Sequence, residues 1–143
     1  MKKIVSLLMV TLALILMLGA CSKTASNGKD YQYYTAEETK KFLEEGKDLL
    51  FVDIQVEEEW EAHHLKGAIP TYAYPVETEE DRKKIDAILP QLEGDQDIVV
   101  ICPRGGGGAT RTVDYLIEKG IDPNRIFILK GGQEKWPYDE FLE

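Results

Sequence analysis

One thiol stands where an α/β chain most readily does chemistry. Ile98-Val99-Val100-Ile101 is a continuous β-branched run, suited to a strand buried on both faces, and Cys102 follows it directly. Open α/β sheets take their ligands at that carboxyl edge. Next come Pro103, Arg104 and four glycines, Gly105, Gly106, Gly107 and Gly108, and then a helix expected to open at about Ala109. Successive glycines adopt dihedrals closed to other residues, so the loop can curl back and aim its backbone N–H groups at one point near Cys102 Sγ. A hydrogen bond to a charged acceptor contributes about 1.5 to 3 kcal/mol, whereas a helix terminus contributes about 0.3 to 2 kcal/mol. Two or three such N–H contacts therefore suffice to hold a thiolate, and the helix dipole alone does not. Arg104 can add a full positive charge. The implied chemistry is nucleophilic catalysis by sulfur; the alternative is a glycine-rich turn beside an inert buried cysteine. Two other glycine motifs fail, because no Lys-Ser/Thr follows the glycines and position 110, where a dinucleotide loop needs its third Gly, is Thr.

The chain around this site has 143 residues, 43% of them hydrophobic, and a formal charge of −9 from 17 Lys and Arg against 26 Asp and Glu. That is one domain. Nucleic acid is excluded as a partner, since neutralising phosphates needs clustered Lys and Arg. Apolar and aromatic clusters recur from Tyr31 to Phe141 and exclude disorder for most of the chain. At the start, Lys2 and Lys3 precede an uncharged run, Ile4 to Leu18, broken only by Ser6 and Thr11. This reads as an export signal, too short for the roughly 20 residues that cross a bilayer. Leu18-Gly19-Ala20-Cys21 resembles the bacterial lipobox, whose Cys takes a diacylglycerol and becomes the new N-terminus. The expectation is a signal peptide over 1–20, a lipidated N-terminus and flexible tether over 21–33, and a folded domain over 34–143. The lipid on Cys21 would hold that domain outside the cytoplasm on a bacterial membrane. Cys102 is then unpaired in an oxidising compartment, which marks it as a candidate reactive group.

Several elements must position the loop. Thr35-Ala36-Glu37-Glu38 is a capping box opening a helix that runs to about Glu45 and stops at Gly46. Leu49 to Ile54 predicts a buried strand, and Val56 to Ala62 one or two helical turns with Trp60 inward. Ala68 to Tyr74 predicts a weaker strand, with Pro70 arguing for an edge. Thr78 to about Leu92 has apolar residues at helical spacing, shortened or kinked by Pro90. Ala109 to Lys119 predicts a helix closed by Gly120, Arg125 to Leu129 a strand, and Pro137 to Leu142 a short terminal helix. Strands alternating with helices imply a parallel sheet covered on both faces.

With these elements in order, the chain resembles a rhodanese-like domain from about Tyr34 to Phe141. The likeness rests on Leu50-Phe51-Val52-Asp53, Glu57-Glu58-Glu59-Trp60, His64-Leu65-Lys66-Gly67-Ala68-Ile69, Ile98 to Cys102, the loop ending in Gly108-Ala109, and Leu129-Lys130-Gly131-Gly132 leading to Trp136. It implies an α/β fold, a five-stranded parallel sheet with helices on both faces, and transfer of sulfane sulfur through a Cys102 persulfide. The donor would be anionic, such as thiosulfate, a persulfide or a polysulfide, and the acceptor a thiol or other nucleophile. Neither metal nor organic cofactor is implied. Gly105 to Gly108 would form the amide cradle and Arg104 would attract the donor; Arg111, in the first helical turn, could assist it but is read first as structural or exposed. The other reading within this fold is a non-catalytic module that binds or senses an anion or persulfide.

The resemblance also separates branches. A phosphate-cleaving relative closes a longer loop on an Arg six positions after the Cys, and that position here is Gly108. Family members carry Arg where this chain has Gln55, which bears on local stability, and Pro where it has Lys66. Gly106 and Gly107 replace the basic or hydroxyl residue common near the loop's end, so thiosulfate is expected to be a poor donor. His63 and His64 lack a third ligand at useful spacing, and His64 is read as capping or packing. Tyr31, Tyr33 and Tyr34 are expected to pack the N-terminal edge.

Overall fold

The computed structural model of the chain describes residues 30–143. The signal peptide over 1–20, lipidation at Cys21 and the tether as far as residue 29 lie outside the described residues. Among the described residues, no helix is long and apolar enough to cross a membrane.

The elements in chain order are β1 (Tyr33–Tyr34), α1 (Ala36–Glu44), β2 (Leu49–Asp53), α2 (Glu57–Ala62), β3 (Ile69–Pro70), α3 (Glu79–Asp86), β4 (Asp97–Ile101), α4 (Gly107–Glu118) and β5 (Ile126–Leu129). The sheet order is β1-β5-β4-β2-β3, with every ladder parallel. This is the five-stranded parallel sheet that the resemblance implied. β4 is central, paired with β2 (Asp53 beside Ile101) and with β5 (Val99 beside Phe127).

Alternation along β4 divides the core, because successive strand residues face opposite sides. Ile98, Val100 and Cys102 join Val52, Ile54, Val113 and Leu116 on the side covered by α3 and α4. Val99 and Ile101 join Phe51, Leu65, Leu129 and Trp136 on the side covered by α1 and the C-terminal turns. Leu116 is fully buried and is the part of α4 that seats the helix on the sheet. Leu116→Ala is expected to cost about 2 to 5 kcal/mol, read as a lowered midpoint in urea unfolding.

The capping box expected at Thr35 is made with Glu38 at α1, and a second one, not identified from the sequence, joins Thr78 to Asp81 at α3. Four boundaries differ from the sequence reading. The helix expected at Ala109 opens two residues earlier, at Gly107, since Thr110 N–H already reaches the Gly106 carbonyl (3.2 Å). The Ala68–Tyr74 strand contracts to Ile69–Pro70; Pro70 has no N–H for the ladder, and Tyr72 and Val76 then take left-handed backbone (φ 55° and 63°). The helix expected over Thr78–Leu92 ends at Asp86, and a separate 3₁₀ turn, Leu89–Leu92, carries Pro90. The terminal helix is reduced to a 3₁₀ turn at Asp139–Phe141, preceded by another at Gln133–Lys135. Tyr33 and Tyr34 do more than pack: they add β1 to the sheet beside Ile128 and Leu129.

Candidate active site

β4 delivers Cys102 to the carboxyl edge of the sheet, with its side chain toward α4 and 1% of the residue exposed. The Gly105 N–H donates to Cys102 Sγ at 2.8 Å. Gly106, Gly107 and Gly108 make no hydrogen bond to that sulfur; the last two form the first turn of α4 and contribute the positive end of its dipole.

The bond from Gly105 exists because two tight turns interlock. Gly105 has φ +70°, and a Cβ there would lie 2.8 Å from the Gly131 amide nitrogen and 3.0 Å from the Leu129 carbonyl. Gly132 has φ +65°, and a Cβ on it would collide with the Cys102 carbonyl oxygen and the amide nitrogens of Arg104 and Gly105. The turn after β5 also donates to the loop directly: Gln133 N–H to the Cys102 carbonyl (2.9 Å) and Glu134 N–H to the Pro103 carbonyl (3.0 Å). The loop carbonyls are thereby held away from the sulfur, which leaves an N–H to face it.

Residues 35–138 match the family model of the rhodanese-like domain. The chain belongs to the rhodanese-like family. Solved rhodanese-like structures agree with the fold. A rhodanese-like domain protein from Staphylococcus aureus is 27% identical over 78% of this chain and 96% of its own, with a TM-score of 0.60. The rhodanese-like domain from Anabaena is 23% identical over 75% and 74%, TM-score 0.59. The As-Sb reductase from Leishmania major is 19% identical over 75% and 77%, TM-score 0.53. At those identities the last two show likeness of fold alone. Comparison with curated proteins gives no match.

In this rhodanese-like domain a cleft of about 390 Å³ opens beside the loop, between α2 and the turn after β5. Gln55, Glu59, His63, Arg104, Gln133 and Glu134 line it, with Ala62 and Pro103 at its wall. The Arg104 guanidinium is 81% exposed and bonded to Glu134 (3.1 Å), so its charge is shared with a carboxylate instead of being turned wholly to a donor anion. Arg111 makes no hydrogen bond to the sulfur. It donates through Nε and Nη2 to the Pro75 carbonyl (3.0 and 2.8 Å) and lies 3.4 Å from Glu77, a structural task. His64 stacks on Trp60 (3.5 Å between centroids) and its Nδ1 lies 2.9 Å from the Trp60 carbonyl, as capping and packing require. Among the described residues, no group of three or more His, Cys, Asp or Glu is placed to hold a metal ion.

The sequence reading did not single out Asp53 as part of the site's frame. Its carboxylate is fully buried, accepting from the Gln55 backbone N–H (2.8 Å) and side-chain Nε2 (3.0 Å). Burial pushes the carboxyl up to about 6, against the pull of those two neutral donors. An Arg in place of Gln55 would bring a compensating charge; Gln brings only dipoles. Because the folded value exceeds the ordinary 3.8, the native state binds this proton more tightly than the unfolded chain does. The associated stability is full below about pH 4 and is lost as pH rises to about 6, a swing of about 3 kcal/mol. Asp53→Asn keeps the shape and can still pair with a reoriented Gln55 amide. It is expected to flatten the decline between pH 4 and 6 and to raise unfolding free energy at pH 7.5 by about 1 to 3 kcal/mol. Urea unfolding across that pH range checks it, and a variant that keeps the slope and is weaker at pH 7.5 would contradict the assignment.

Proposed function

We propose that this rhodanese-like domain is a sulfurtransferase in which Cys102 carries the sulfur. The observation that supports it most directly is the 2.8 Å bond from the Gly105 N–H to Cys102 Sγ, at a strand end beside a cleft. A thiolate that accepts a backbone N–H is stabilised where it must react, and a persulfide formed on it inherits the same donor. The Cys102 thiolate attacks the outer sulfur of the donor. With thiosulfate, a Sγ–S bond forms, the S–S bond breaks and sulfite leaves with the electron pair. A thiol or other nucleophile then removes the outer sulfur and returns the thiolate.

The net lining charge disfavours a compact dianion, because Glu59 and Glu134 face one Arg104 that is already bonded. A persulfide or polysulfide is therefore the better donor and thiosulfate the poorer one. Lys2, Lys3, the apolar run to Leu18 and Leu18-Gly19-Ala20-Cys21 support anchoring of the domain outside the cytoplasm through a lipid on Cys21.

Incubation with a polysulfide followed by intact-mass measurement tests the reading: a gain of one sulfur atom is expected, removed on adding a thiol, with many turnovers when both are in excess. The 1% exposure of Cys102 favours a second reading, a persulfide receptor without turnover. Such a receptor would load once and release no persulfide product to excess thiol.

A further inference from the structure

The turn that clamps the loop carries an amide with no bond to make. Gln133 is 3% exposed, and neither its Nε2 nor its Oε1 has a hydrogen-bond partner. Its backbone is committed, since its N–H donates to the Cys102 carbonyl, so the residue stays beside the nucleophile whatever its side chain does. That side chain lines the cleft. A buried polar group left unpaired is costly, and a fold that keeps one has a use for it. No hydrogen bond fixes the Gln133 rotamer, so no bond has to be broken for the amide to meet a ligand in the cleft that the residue lines.

The group that satisfies a primary amide offers one acceptor and one donor side by side, which is what another amide offers. The remaining lining disfavours an anionic ligand, because the two carboxylates Glu59 and Glu134 outnumber Arg104. The cleft volume, about 390 Å³, falls in the range of sites for small organic ligands and is far larger than one oxyanion needs. Resting on the transferase reading, we infer that Gln133 selects the sulfur acceptor, an uncharged cysteinyl thiol flanked by amide groups. The acceptor thiolate attacks the outer sulfur of the Cys102 persulfide and forms a new S–S bond. The Sγ–S bond breaks, its electron pair returns to Cys102 Sγ as the thiolate, and the outer sulfur keeps its proton and leaves as the acceptor's persulfide. No external oxidant or reductant is consumed.

Single-turnover decay of the persulfide-loaded protein tests this with four acceptors compared at equal thiolate concentration: N-acetylcysteinamide, a capped Gly-Cys-Gly peptide, 2-mercaptoethanol and 3-mercaptopropionate. The two amide thiols are expected to react fastest and the carboxylate thiol slowest. Gln133→Met should slow the amide thiols about tenfold more than it slows 2-mercaptoethanol. A peptide that outruns N-acetylcysteinamide assigns the acceptor to protein cysteines; equal rates assign it to small thiols. Equal rates for all four acceptors in the parent overturn the inference even if the variant does not fold. So does a variant that slows every acceptor alike or none. Failure to transfer to any thiol overturns the transferase reading and this one with it.

Discussion

Cys102→Ser is expected to abolish sulfur loading while leaving the fold in place. The hydroxyl is close in shape to the thiol and can accept the Gly105 N–H that Sγ accepts at 2.8 Å, so the loop keeps its hydrogen bond. Cys102 is buried in the core layer under α4, so the replacement removes some apolar contact. A loss of about 1 to 2 kcal/mol is the scale for such a change. Chemistry suffers far more. A serine hydroxyl stays protonated at neutral pH in the absence of an adjacent base, and oxygen does not replace sulfur in attack on a sulfane centre. With Cys21 replaced as well, the chain has no other cysteine to load. Intact-mass measurement after polysulfide treatment should show no added sulfur, beside near-parent urea unfolding. A folded variant that gained sulfur at the parent's rate would remove Cys102 from the mechanism.

How much of this was legible in advance follows from how local each determinant is. β4 could be read because Ile98 to Ile101 is buried on both faces and its β-branched run has no polar interruption. The capping box at Thr35 could be read because it is contained in four residues and closes on the usual Glu, whereas the box at Thr78, which closes on Asp81, was not identified. β3 could be read as an edge strand from Ala68-Ile69-Pro70 but not its two-residue length, and β1 could not be read at all, since so short a strand carries no periodicity and exists through its neighbours, Ile128 to Leu129. Within the loop, the presence of glycine was visible but not its division of labour. Gly105 meets the sulfur because backbone from 129–132 packs against it, and a Cβ at Gly106 would touch nothing within 4 Å. The cleft was hidden for the same reason. Its lining comes from α2, the loop, the segment after β2 and the turn after β5, and only the folded sheet brings these together. Arg104 was visible as a charge, whereas its pairing with Glu134, thirty residues on, was not. The one advance signal for Gln133 was its place directly after Gly131-Gly132, a turn already expected to matter.

The interlocked turns carry the second large expectation. Gly132→Ala should disable the site more than it destabilises the protein. Two costs arise and can be separated. The first is conformational: at φ +65° a Cβ is disfavoured by about 1 to 2 kcal/mol. Gly46→Ala measures that cost alone, because Gly46 has φ +73°, nothing within 4 Å of its Cβ position, and no part in the site. The second is collision with three backbone atoms, the Cys102 carbonyl oxygen and the Arg104 and Gly105 nitrogens, none of which can swing aside as a flexible side chain would. To admit the methyl group, the turn and the loop must move apart. That movement strains the bonds from Gln133 and Glu134 to the loop carbonyls and draws the Gly105 N–H from Sγ. The total cost should reach about 3 to 5 kcal/mol, well beyond the Gly46 control. Loading should slow by about tenfold or more even where the variant remains folded, since loss of one charge-assisted bond is of that size. Persulfide formation measured below the unfolding midpoint, beside urea curves for both alanine variants, checks the two costs independently. If Gly132→Ala lost no more stability than Gly46→Ala and loaded sulfur at the parent's rate, the turn after β5 would have no part in holding the nucleophile.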